Sequence, residues 1–180
     1  MLLNQRAAFP LAQRLRSAGV TLGEAFSFLS GLYFRGKLTY AERFARPPAG
    51  SPGIQVITTD RGLAAADTRI GVLDLRAFGT VDIRADHPQY RTPLLRDASH
   101  LAPDAEVVLL GSVATGKYVD VLLEVLGGRL LFPSEFVGRG DMSRGALLLR
   151  AARDGRELAY EPVASAVRRG PRARKVALTR

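Results

Sequence analysis

Between Glu106 and Pro133 the chain reads EVVLLGSVATGKYVDVLLEVLGGRLLFP, two short apolar runs flanking an amphipathic segment. Residues 106–111 and 129–133 have the length and β-branched or leucine-rich character of strands, and 115–127 has the 3.6-residue period of a helix. A crossover of that length permits parallel pairing, which a tight turn cannot. Parallel strands need helices on their faces, so this unit alone commits the chain to an α/β class.

The remaining elements are placed around it. Leu11, Leu15 and Ala18 share one helical face over residues 8–18, with Pro10 suited to the first turn. The Thr-x-x-Glu sequence at 21–24 is a capping box, so a second helix is predicted to start at Leu22. Gly31 and Gly36 are expected to interrupt helix before a third segment near 38–45. RPPAGSPG, residues 46–53, is the clearest linker, and IQVITT at 54–59 a buried strand. GVLDLRAF, 71–78, suits strand or helix, and residues 87–104 read as loop with a short helix. In ALLLRAARDGRELAYEPV, Asp154-Gly155 predicts a hairpin, with a helix over 143–153 capped by Gly155 as the competing reading. The expected architecture is α/β: N-terminal helices, a partly parallel central sheet with a βαβ unit, and a C-terminal β-hairpin. One domain is expected over 1–167, with a helical N-terminal region over 1–46, a linker at 46–53 and a sheet core over 54–167. A basic flexible tail, 168–180, follows.

Composition excludes several chemistries. There is no cysteine, so disulfides and thiolate sites are out, and His87 and His100 cannot make a typical zinc site alone. No metal or cofactor is expected. No apolar run reaches the roughly 20 residues of a membrane span. The start, with arginines scattered through it, reads as an amphipathic helix rather than a secretory signal, so the expected location is the cytoplasm. The net charge of +9 suggests a polyanionic partner. Six of the basic residues lie in RRGPRARKVALTR, however, and without them 20 basic residues face 17 acidic ones. The tail is thus an arm able to touch phosphates or a merely solubilising end.

Three segments carry candidate chemistry. GSVATGKY, 111–118, matches a phosphate-binding loop between strand and helix, but Tyr118 stands where a magnesium-holding Ser or Thr belongs. The turn could still cradle an anion through Ser112, Thr115, Gly116 and Lys117. GLYFRGKLTYAERF, 31–44, interleaves aromatics with Arg35, Lys37 and Arg43. Gly36 could form a turn whose amides meet a phosphate backbone, or the aromatics could be core beneath a solvated basic face. FVGRGDMSRG, 136–145, sets Gly138, Gly140 and Gly145 among Arg139 and Arg144. Glycines would let the backbone close on a partner while guanidinium groups supply bidentate contacts, or an internal Arg–Asp pair would brace the turn. Asp141 is a candidate helix cap for 142–144.

These islands resemble the YaaA-type proteins, a peroxide-stress family. Arg139-Gly140-Asp141-Met142-Ser143-Arg144 is similar to that family's Arg-Gly-x-Met-Ser-Arg element. GLYFRG with AERF resembles its Gly-x-x-Tyr-x-Gly stretch and downstream Ala-Glu-x-Phe; VVLLGSVATGKYVDVL and DGRELAYEP resemble its strand ending in Ala-Ser and its closing hairpin. The resemblance implies a compact α/β fold with a positive cleft that binds DNA. Arg35, Gly36, Lys37 and Arg43 would serve in a hairpin, and Arg139, Gly140 and Arg144 at the later element. EVVLLGSVA also resembles a turn of some uracil-DNA glycosylases, without their Gly-Glu-x-Pro-Gly loop. Two functions follow. One is a nucleic-acid-binding protein, for DNA, working by phosphate contacts. The alternative is a small enzyme acting on a nucleotide or nucleobase, with the 111–118 turn as cradle and Asp60, Asp67 or Glu135 as general base. His87 and His100 receive no role.

Overall fold

The computed structural model describes residues 1–114 and 116–166. The strand–helix–strand unit forms as its pattern requires. β5 (Val107–Val108) pairs in parallel with β6 (Leu130–Pro133), and α6 (Gly116–Leu126) connects them. β7 (Tyr160–Pro162) joins the far edge of β6 antiparallel, giving the order β5-β6-β7. Two antiparallel pairs stand apart from this sheet. They are β1 (Val20–Thr21) with β4 (Arg69–Ile70), and β2 (Gln55–Ile57) with β3 (Leu63–Ala65). The class is mixed α/β, dominated by helix.

Helix starts follow local chemistry. α1 (Pro10–Ser17) begins with proline, which lacks the amide a first turn would leave unpaired. α2 (Leu22–Leu29) carries the predicted box: Thr21 Oγ1 accepts from the Glu24 amide at 3.1 Å, and Glu24 Oε2 accepts from the Thr21 amide at 2.9 Å. The ambiguous 71–78 stretch forms α4 (Val72–Ala77).

Four expectations are corrected. α3 (Gly31–Phe44) runs through Gly36 without a break, because that glycine is buried against a second helix that permits no side chain there. Residues 88–99 form a full helix, α5 (Pro88–Ser99), started by Pro88 and carrying Pro93 in its interior. It buries Tyr90, Leu94 and Ala98 on one stripe. The 146–152 run is helix, as the competing reading had it: α7 (Asp141–Arg153) buries Arg144, Leu148, Ala151 and Ala152 at helical spacing. Gly155, at φ +64°, turns the chain at its end, where the Arg156 amide reaches back to the Ala151 carbonyl. The terminal strand therefore finds its antiparallel partner in β6 rather than in residues 146–152. Finally, the cap of α7 is Gly140, with Asp141 as the first helical residue.

Two hydrophobic clusters result. One is built from α5, α6, α7 and the three-stranded sheet, around Leu94, Val119, Leu130, Phe132 and Leu148. The other lies under α1, α2 and α4, around Leu15, Leu22 and Ile70. α3 serves both, since Tyr40 belongs to the first and Phe34 packs on the second. No helix among the described residues is long and apolar enough to cross a membrane.

Candidate functional site

The glycines of the two basic islands meet each other. A Cβ on Gly36 would lie 2.7 Å from the Gly145 carbonyl oxygen, and one on Gly145 would lie 2.9 Å from both the Leu32 carbonyl oxygen and Tyr33 Cα. α3 and α7 therefore cross backbone on backbone. Gly140 caps α7 with nothing near its missing side chain.

That crossing sets Arg144 beside α3. Arg144 is 8% exposed. Its Nε and Nη2 both donate to the Phe136 carbonyl at 3.3 Å, and its guanidinium sits 5.5 Å from the Phe136 ring centre. Nη1 lies 3.6 Å from Asp141 Oδ1. Arg139 acts similarly, its Nε donating to the Glu135 carbonyl at 2.8 Å and its Nη1 to Ser143 Oγ at 3.2 Å. Both arginines brace the turn that leads from β6 into α7.

Beside the crossing runs a cleft of about 1160 Å³. α3 lines one wall with Phe34, Lys37, Tyr40 and Phe44; the 46–53 segment and β2 line a second; the end of β5 with Tyr118 lines a third. Lys37 Nζ lies 4.1 Å over the Tyr33 ring, and no carboxylate among the described residues pairs with it. Burial holds this amine below the ordinary lysine value; Arg144 pushes the same way and Asp141 opposes. The Tyr33 hydroxyl donates to the Leu110 carbonyl at 3.1 Å. Burial pushes it up to about 12 against the nearby Arg144 charge. Tyr118 packs its hydroxyl 2.7 Å from where a Cβ on Gly111 would stand, so the strand-end glycine is required by that phenol. Burial raises Tyr118 as well, with the Ser112 backbone acting in the other direction.

Tyr90 is the outlier. It is 1% exposed, lines the cleft, and its hydroxyl has no hydrogen-bond partner among the described residues. Burial, and after it the neighbouring Tyr118, raise its pKa. The other end of the cleft is fully paired: Tyr40 accepts from the Leu158 amide at 2.8 Å, the Tyr40 and Tyr160 hydroxyls are 2.7 Å apart, and Tyr160 donates to Glu157 at 3.1 Å.

Comparison with protein-family models, curated proteins and solved structures finds no match.

The residues singled out in the sequence separate into three groups. Lys37, Ser112 and Lys117 line the cleft. Gly36, Arg139 and Arg144 serve the crossing and its turn. Arg35 and Arg43 are exposed on α3 without an ion-pair partner among the described residues, Arg43 beside Gly155. Thr115 and the 168–180 tail lie outside the described residues. At Gly116 the Asp120 carboxylate occupies the space of a side chain, so the start of α6 is covered by an acid of its own helix. Among the proposed bases, Asp60 pairs with Arg61 at 3.1 Å, Glu135 pairs with Arg156 at 3.0 Å, and Asp67 is exposed. No group of three metal-ligating side chains occurs among the described residues. Sequence reasoning passed over Tyr90 and gave Tyr118 only a negative role. The available signal was the Tyr33–Lys37 pair, four apart on one helical face.

Proposed function

We propose that the cleft binds a ligand of the nucleotide class, a planar ring carrying an anionic group. One observation carries this: the Tyr90 hydroxyl, buried without a partner among the described residues on the cleft wall. A buried hydroxyl left unpaired costs about 1–3 kcal/mol, a loss that a ligand's polar ring edge would offset. Aromatic side chains along the walls suit stacking with a base. Lys37 and Lys117 supply cations to the same cleft, whose lining also carries Arg46 and the acids Asp104, Glu106 and Glu157. We place this activity in the cytoplasm.

The test is thermal stabilisation of the full chain by free bases, nucleosides and nucleotides. A ligand at 100 times its Kd should add about 2.7 kcal/mol of stability, and Tyr90→Phe should weaken that gain. Absence of any shift at millimolar concentration across all three classes would end this reading.

A second reading rests on different residues. Arg35 and Arg43 face outward unpaired among the described residues, a geometry suited to phosphates of a DNA strand, as the YaaA-type resemblance implies. Replacing either with Ala should weaken DNA retention and lower the salt slope by about 1. Retention unaffected by both changes, or none at low salt, refutes it.

A further inference from the structure

We propose that Lys37 is a nucleophilic amine that condenses with an aldehyde or ketone entering the cleft. The proposal rests on the cleft being a ligand site, as above, and adds a covalent chemistry to it. Lysine side chains are ordinarily exposed or paired with carboxylates. Lys37 is neither: it lines an aromatic cleft, places Nζ 4.1 Å from the Tyr33 ring centre, and forms no ion pair among the described residues.

The groups that face it are few. α7 contributes Asp141 and Arg144, its own helix contributes Tyr33, and α6 brings Tyr118 into the same field, since Tyr118 and Lys37 both sense Asp141 and Arg144. Arg144 is locked onto the Phe136 carbonyl and cannot swing away. The desolvating walls favour the neutral amine most, with a smaller push from Arg144; the exposed Asp141, which outweighs Arg144, and the face of the Tyr33 ring oppose them. A desolvated lysine next to a second cation is the arrangement that makes an amine reactive toward carbonyl carbon near neutral pH.

The step balances without an oxidant or metal. The nitrogen lone pair bonds to the carbonyl carbon while the carbonyl π pair moves to oxygen. The nitrogen proton passes to that oxygen, giving a carbinolamine. Solvent at the cleft mouth protonates the hydroxyl, water departs, and the nitrogen lone pair closes the carbon–nitrogen double bond of a protonated imine. Walls built from Phe34, Tyr40 and Phe44 would limit its hydrolysis by excluding water. The ligand class is a carbonyl compound with an aromatic or phosphorylated body, with Lys117 placed to meet the phosphate.

The sequence makes the test clean, because Lys37, Lys117 and Lys175 are the only lysines. The full chain is treated with pyridoxal 5′-phosphate or with pyridoxal, each with cyanoborohydride at pH 7, and modified peptides are mapped. Lys37 should be labelled several-fold faster than the more exposed and hydrated Lys117. Its rate should level off at lower pH than that of a free lysine amine, and Asp141→Asn should raise it further. Lys37→Arg should abolish that label with folding unchanged by circular dichroism. Phosphate on the probe should speed labelling only while Lys117 is present. Labelling of Lys117 as fast as Lys37, or a Lys37 pH profile identical to that of a free lysine amine, overturns the proposal. Nucleotide stabilisation without Lys37 labelling would leave the cleft reading intact and end this one. Labelling that no nucleotide blocks would do the reverse.

Discussion

Gly145→Ala offers the sharpest test of the structure because two effects of opposite sign compete at one methyl group. On an exposed helix the change should stabilise by roughly 1 kcal/mol through propensity. Here the new Cβ would stand 2.9 Å from two backbone atoms of α3, about 0.5 Å short of the 3.4 Å at which ordinary contact begins. Backbone cannot rotate away as a side chain can, so the helices must separate, and such overpacking costs about 1–3 kcal/mol. The propensity gain offsets part of that cost, leaving a net loss of up to about 2 kcal/mol, or up to about 8 °C in Tm for a chain of this size. Gly36→Ala should behave alike, since its Cβ would meet the Gly145 carbonyl at 2.7 Å. Once one substitution has parted the helices, the second should cost less, so the double variant should be more stable than the sum of the two losses predicts. Urea denaturation at 25 °C reads all three, with Gly128→Ala, which has nothing within 4 Å, as control. A gain in stability for Gly145→Ala, or strict additivity in the pair, would refute a backbone-on-backbone crossing.

Tyr90→Phe removes a buried hydroxyl that has no partner among the described residues and should raise stability by about 1 kcal/mol, whereas Tyr40→Phe strands the Leu158 amide and should cost about 1–3 kcal/mol; urea midpoints moving in the same direction would contradict the assignment. All five tyrosines have raised pKa values, chiefly through burial, so absorbance at 295 nm should show less tyrosinate at pH 10.5 in the folded chain than in the unfolded one. Because the folded values lie above the unfolded one near 10, their stabilisation is complete below about pH 10 and is lost as pH rises further; a tyrosine titrating normally in the folded protein would refute this. Lys37→Met should raise the urea midpoint at pH 7, since it removes a desolvated charge whose depressed pKa makes folding less favourable below about pH 10; a lowered midpoint would show that the amine supports the fold.

The features that sequence disclosed were those decided within a few residues. The Thr21–Glu24 box depends on one turn of chain, and the β5–α6–β6 unit on a change of hydrophobic period. α5 was hidden because Pro93 and many polar side chains mask a stripe of only three buried residues. α7 was masked differently, since Leu147–Leu149 suits a strand as well as a helix and Gly155 can end either. At the site, composition found Lys37 and Arg144 but gave their glycines the wrong partner. Glycine beside arginine reads as backbone freedom for a polyanion, and only a contact 109 residues away in sequence reveals that Gly36 and Gly145 instead admit one another. Tyr90 left no local trace, because its distinguishing property is a missing partner.

The α3–α7 crossing also has a chemical consequence. The closeness of the two helices sets how much water reaches the half-buried amine beside them, so mechanical tightness and proton affinity are read from one dimension. Widening that gap would admit water beside Lys37 and move its proton affinity back toward that of an ordinary lysine even where the chain still folds. Selection for reactivity at Lys37 would thus be felt as selection for the absence of side chains at two positions that never touch the substrate.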